Sequence, residues 1–141
     1  MKDLQLDLHH VGVVVEKIEE KREAYGVLGY SERTGIIHDP LQTAYVQFFN
    51  LPGANHYLEL VAPDGPESKL AKAIKRKQPL HHLCYVVNDI LAACALLQAH
   101  GWWLVSEPTP AIAFDQRRIA WLASPDLLII ELVERGPEGS L

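Results

Sequence analysis

The sequence predicts an α+β fold: two tandem βαβββ modules pairing into a curved mixed sheet around a metal cleft. Three observations carry that prediction. The chain repeats itself at a fixed spacing, each half orders its strands and helix in the same way, and each half holds a histidine and a glutamate at one separation. Leu8-His9-His10 recurs as Leu80-His81-His82, an offset of 72. Val14-Val15 recurs as Val86-Val87, Ile18 as Ile90, Gly29 as Gly101, and Glu59-Leu60-Val61 as Glu131-Leu132-Val133, all in the same register. One register kept without slippage over a half is the signature of a tandem duplication.

Residues 10–15 and 82–87 are apolar and valine-rich and read as strands. A helix follows each. In the second half Asn88 or Asp89 offers an N-cap, Ile90, Leu91, Cys94 and Leu97 form the buried stripe, and Gly101 closes the helix. In the first, Ile18, Tyr25 and Leu28 line one face, Gly29 closes it, and Glu19 to Arg22 face water. Three more strands per half fit the remaining apolar stretches: 30–36, 43–49 and 56–61, then 102–106, 118–123 and 128–133. The turns fall at Pro108/Pro110 and Ser124-Pro125-Asp126. A single domain over 1–141 is expected, with module one at about 8–63, a linker helix at about 66–78 and module two at about 80–135.

Composition narrows the function classes. A chain of 141 residues with 48% hydrophobic and 22% charged residues can bury a core and is not disordered. A net charge of −5 with no broad basic face argues against nucleic acid. No apolar run reaches the ~18 residues of a membrane span. Met1-Lys2-Asp3-Leu4 lacks a signal pattern, and Cys84 and Cys94 suit reduced core positions, so a cytoplasmic protein is expected.

The chemistry gathers at the repeat. His10 and Glu59, like His82 and Glu131, stand 49 residues apart. Paired about a pseudo-twofold axis, two imidazoles and two carboxylates would meet in one cleft. That donor set suits one divalent ion, Zn, Ni, Co, Mn or Fe, with open positions for water or substrate. Glu131 lies in Leu128-Ile129-Ile130-Glu131-Leu132-Val133, apolar on both strand faces, so its carboxylate is expected to be buried and paired or metal-bound. Glu59 reads equally as the solvent face of an alternating strand. His9 and His81, one residue out of phase, point the other way and are read as packing or supporting residues. Arg117 and Arg118 are candidate clamps for a substrate carboxylate or phosphate, against a solvated strand end. Lys72, Lys75, Arg76 and Lys77 read as a solvated face. Trp102, Trp103 and Trp121 read as core.

His10-Val11-Gly12-Val13-Val14-Val15, Tyr57-Leu58-Glu59-Leu60-Val61-Ala62-Pro63 and His81-His82-Leu83-Cys84-Tyr85-Val86-Val87 resemble the vicinal oxygen chelate superfamily of glyoxalases, bleomycin-resistance proteins and dioxygenases. The resemblance is strongest toward its methylmalonyl-CoA epimerases, helped by Ile129-Ile130-Glu131-Leu132-Val133-Glu134. It runs from about Leu8 to Glu134. It implies a metal-dependent isomerase or lyase that stabilises an enolate, with His10, Glu59, His82 and Glu131 on the metal and Glu131 or Glu59 as base. The substrate expected is an acyl-CoA or a glutathione-type thiol adduct, and a homodimer is expected. The chain departs from the epimerase pattern at Leu41-Gln42, where those proteins carry a glutamate; Asp39 is near but out of register. A drug-sequestering binding protein and an extradiol dioxygenase are the competing readings.

Overall fold

The computed structural model describes Leu4 and residues 6–141; the Met1–Asp3 stretch read above for targeting lies outside the described residues. Strands and helices mix as expected. The chain divides into two compact units, residues 10–81 and residues 82–141 with the chain up to His9. The division falls inside strand β1 (Asp7–Val14), after His9, and inside β6 (Leu80–Val87), after His81.

The unit of residues 10–81 contains most of β1, then α1 (Ile18–Gly26), β2 (Ser31–Glu32), β3 (Ile37–Asp39), β4 (Ala44–Asn50), β5 (Tyr57–Pro63) and α2 (Ala71–Lys75). β1 lies parallel to β5, β5 antiparallel to β4, and β2 and β3 both pair with β4. Alternation decides the rest. Val13 and Val15, Leu58, Leu60 and Ala62 pack with Phe49 and Ile18 into the core under α1. His10 and Glu59, at the opposite parity, point away from that helix.

The other unit repeats the plan with β6, α3 (Ile90–Ala99), β7 (Trp103–Pro110), a 3-10 turn (Ile112–Phe114), β8 (Arg118–Ala123) and β9 (Ile129–Glu134). β6 is parallel to β9, and β9–β8 and β8–β7 are antiparallel. Its core joins Val87, Ile90, Ala93, Cys94, Ala120, Leu122, Ile130 and Leu132. His82 and Glu131 again have the parity that faces away from the helix.

Several local expectations are corrected. The strand expected at 30–36 is only Ser31–Glu32, and the next strand, β3, begins beyond it at Ile37. The Arg33 and Thr34 N–H groups both aim at the Phe48 carbonyl, at 2.8 and 3.3 Å, which breaks the ladder as a bulge does. β7 runs through Pro108 and Pro110 instead of turning there. It pairs only with β8 among the described residues, with two register shifts, and prolines are tolerated on such an edge. The expected linker helix shrinks to Ala71–Lys75. Leu91 is exposed and Ala93 takes its place in the stripe, because 90, 93, 94 and 97 share the face at helical spacing. Leu28 is exposed because α1 ends at Gly26, and Trp103 is exposed on the edge strand, not core.

The two helices start differently. Asp89 caps α3 by accepting the Ala92 N–H at 3.0 Å, whereas Lys17 offers α1 no side-chain cap. Asp89→Ala is expected to cost about 1 kcal/mol of unfolding free energy, read from urea denaturation; Lys17→Ala should be close to neutral in the same assay.

Candidate metal and catalytic site

Each unit holds one buried imidazole–carboxylate pair. In the unit of residues 10–81, His10 Nε2 lies 3.2 Å from Glu59 Oε1. In the other, His82 Nε2 lies 3.4 Å from Glu131 Oε1. All four residues are at most 5% exposed. The solvent-face reading of Glu59 is therefore excluded. Backbone pairing builds the first pair. β1 and β5 run parallel with Gly12 opposite Glu59, so the side chain of His10, two residues earlier on the same face, can meet the carboxylate. Cys84 opposes Glu131 on β6 and β9 in the same way, with His82 two residues earlier.

An aromatic ring completes each pair, and the sequence reading missed it. Phe48 is the cross-strand partner of Glu59 and stands edge-on to His10, with centroids 5.3 Å apart. Trp121 is the cross-strand partner of Glu131 and stands edge-on to His82 at 4.8 Å. The two rings play one structural role at an offset of 73, not 72. The β4–β5 hairpin is one residue longer than the β8–β9 hairpin, so the repeat does slip inside each half, and a fixed-register comparison passes over the aromatics. Their signal was available as the cross-strand neighbours of the two glutamates.

Two buried carboxylates and two buried imidazoles offer neutral nitrogen and anionic oxygen donors, a set that fits a divalent ion of the Zn-to-Mn series. Buried charges of this kind are normally paired or ligate metals. The out-of-phase histidines differ in surroundings. His9 is buried and edge-on to Phe114 at 5.1 Å, while His81 is half-buried. Asp39 is buried and accepts the Gln42 N–H at 3.2 Å, closing the turn that carries Leu41 and Gln42.

Both arginines read as clamps have partners in their own unit. Arg117 donates to the carbonyls of Phe114 and Glu134, at 3.1 and 3.0 Å, and to that of Leu141, and lies over the Phe114 ring. Burial holds its pKa below the usual arginine value, against the opposing pull of Asp115, Cys84 and Glu134. Arg118 grips Glu134 through two nitrogens, each at 3.0 Å, and its N–H donates to the same carboxylate. A substrate anion at either guanidinium has to compete with these contacts.

A family model described as the Glyoxalase/Bleomycin resistance protein/Dioxygenase superfamily matches residues 9–121. The chain belongs to that superfamily. Among curated proteins it is similar to the ethylmalonyl-CoA/methylmalonyl-CoA epimerase of Cereibacter sphaeroides, 29% identical over 121 residues, covering 84% of this chain and 89% of that one. Among solved structures it is similar to methylmalonyl-CoA epimerase from Mycobacterium tuberculosis, with a TM-score of 0.82 and 27% identity, covering 93% of this chain and 89% of the other. A hypothetical protein from Bacillus halodurans C-125 shares the fold, with a TM-score of 0.84 and 23% identity over 97% and 99% of the two chains. The vicinal oxygen chelate fold expected from the sequence is thus the fold of this superfamily member.

The Arg118 hydrogen bond holds the Glu134 carboxyl below the usual carboxylate range. Its stabilising effect is therefore full above that range and lost as pH falls through the depressed value. In Arg118→Ala the Glu134 carboxyl is expected to titrate at higher pH than in the parent, read by carbon-13 NMR of the side-chain carboxyl.

Proposed function

We propose that this chain is a metal-dependent epimerase or isomerase acting on an acyl-CoA thioester, with His10, Glu59, His82 and Glu131 jointly holding one divalent ion. The observation that carries the reading is the duplicated pair: a buried histidine–glutamate contact at equivalent positions of both units. The likeness to methylmalonyl-CoA epimerases supports the thioester class. A bound ion would supply Lewis-acid stabilisation of an enolate oxygen. The chain's own residues do the rest. Glu131 or Glu59 takes the proton from the carbon α to the thioester and returns it. The rings beside the pairs, buried Phe48 and half-buried Trp121, shield them from bulk water and keep the imidazoles in fixed orientations.

The same site chemistry serves a lyase acting on a thiol adduct, and the Leu41-Gln42 departure keeps that substrate in the test. Both cysteines are free, which fits the reducing cytoplasm, and among the described residues no helix is long and apolar enough to cross a membrane. Trp103 and Val105, exposed on the edge strand β7, support a homodimer.

Two measurements check this reading. Elemental analysis after metal reloading should find about one divalent ion per chain in the parent and a clear loss in His82→Ala; an unchanged content in that variant would remove the site. Proton NMR in D₂O should show deuterium entering the α position of methylmalonyl-CoA, and Glu131→Gln should slow it by ~10²–10⁴-fold. Exchange on the methylglyoxal–glutathione adduct alone would move the substrate class to thiol adducts.

A further inference from the structure

We infer that the basic segment 69–77 is a phosphate-docking surface for the nucleotide end of a CoA thioester, an inference that rests on the acyl-CoA reading above. Between Pro66 and Gln78 the chain places Lys69, Lys72, Lys75, Arg76 and Lys77 against a single carboxylate, Glu67, although the whole chain carries −5. Lys72, Lys75, Arg76 and Lys77 are all exposed, and none has a side-chain partner among the described residues. Several arginines elsewhere are engaged: Arg22 with Glu32, Arg118 with Glu134, and Arg135 with Asp7 and Asn88.

This arrangement works against local stability. Lys72 stands three and four residues before Lys75 and Arg76 on α2, spacings at which like charges destabilise a helix. Lys77 adopts a left-handed φ of 55°, just after the helix cap at Arg76, a conformation that glycine takes with no steric cost. Among the described residues no side-chain partner offsets these terms. An anion from outside would.

The segment is also held in a fixed place. Ser68 Oγ donates to the Thr43 carbonyl at 2.7 Å, the Lys69 N–H donates to Thr43 Oγ1 at 2.9 Å, and Lys69 Nζ donates to the Leu41 carbonyl at 3.2 Å. These bonds tie its start to the turn after β3. Its end is tied by the Val14 N–H donating to the Pro79 carbonyl at 2.7 Å, on the strand that carries His10. Four residues of extended chain, about 13 Å, separate Val14 from His10. CoA separates its thioester from a diphosphate and a ribose 3′-phosphate by a long flexible pantetheine arm. The reacting carbon can therefore sit at the buried pair while the phosphates lie on ammonium and guanidinium groups that remain in solvent. Such exposed contacts recognise charge more than shape and weaken with salt.

The test is calorimetric titration of the intact metal-loaded chain with CoA and with pantetheine, at low and at high salt. Combining Lys72→Ala, Lys75→Ala and Arg76→Ala should weaken CoA binding about tenfold at low salt and leave pantetheine binding unchanged. Lys77→Gly, which relieves the left-handed backbone and so keeps the fold, should weaken CoA binding a few-fold without lowering the melting temperature. Equal CoA affinity in parent and variants overturns the proposal, as does tighter binding of duplex DNA or phosphatidylserine vesicles with the same dependence on these cations. Acyl-pantetheine exchange in D₂O separates this from the catalytic reading. Exchange on both thioesters, with CoA affinity indifferent to the cations, overturns the docking surface alone. Cation-dependent CoA binding without any exchange supports the docking surface while the catalytic reading falls.

Discussion

A carboxylate taken out of water costs several kcal/mol unless another group compensates it, and the structure does this at Glu59 and again at Glu131. Both sit in strands whose neighbours are apolar on each side, so no small rotation returns them to solvent. An imidazole at about hydrogen-bond distance answers each one. Much of the architecture follows from keeping that answer in place. Gly12 opposite Glu59 places no side chain beside the carboxylate, and the parallel pairing brings the histidine alongside. Removing one member of either pair would leave its partner buried and uncompensated, which is more damaging than losing both.

The two faces of each sheet divide the work. On one face side chains of β1, β5, β6 and β9 pack under α1 or α3. The opposite face carries the polar pairs among further buried apolar residues, including Val14, Val61, Cys84 and Val133. Alternation in a strand makes this possible without loops. It also explains why the pairs can be rigid: their backbone is ladder, not connection, and a site on strands is held more closely than one on loops.

This division is also what made the site legible in the sequence. His10, Glu59, His82 and Glu131 were recoverable because strand parity and the repeat spacing are both one-dimensional properties. The aromatics were not, because Phe48 and Trp121 are related only through strand pairing, and a one-residue difference in hairpin length shifts them out of register. β7 defeated the local reading for a related reason. Pro108 and Pro110 say turn unless the strand lies at an edge, and edge position is a property of the whole sheet. Trp103 followed it to the surface. Likewise the 30–36 stretch looks like one strand by composition, and only the shared Phe48 carbonyl shows why the pairing breaks.

The duplication has a consequence for how such a site can change. Each unit contributes one histidine and one glutamate from strands that its own core stabilises. The surfaces around the pairs need not match. One unit presents the turn closed by Asp39 and, beyond it, a basic segment whose Lys72, Lys75, Arg76 and Lys77 have no side-chain partner among the described residues. The other presents Arg117 and Arg118 already bound to carbonyls and to Glu134. Each ladder thus fixes one polar pair, while the connections, which carry no ladder bonds, are free to differ. Sequence change is then easier to absorb in the turns at 39–43 and 66–78 than in the paired strands, where a buried carboxylate tolerates little.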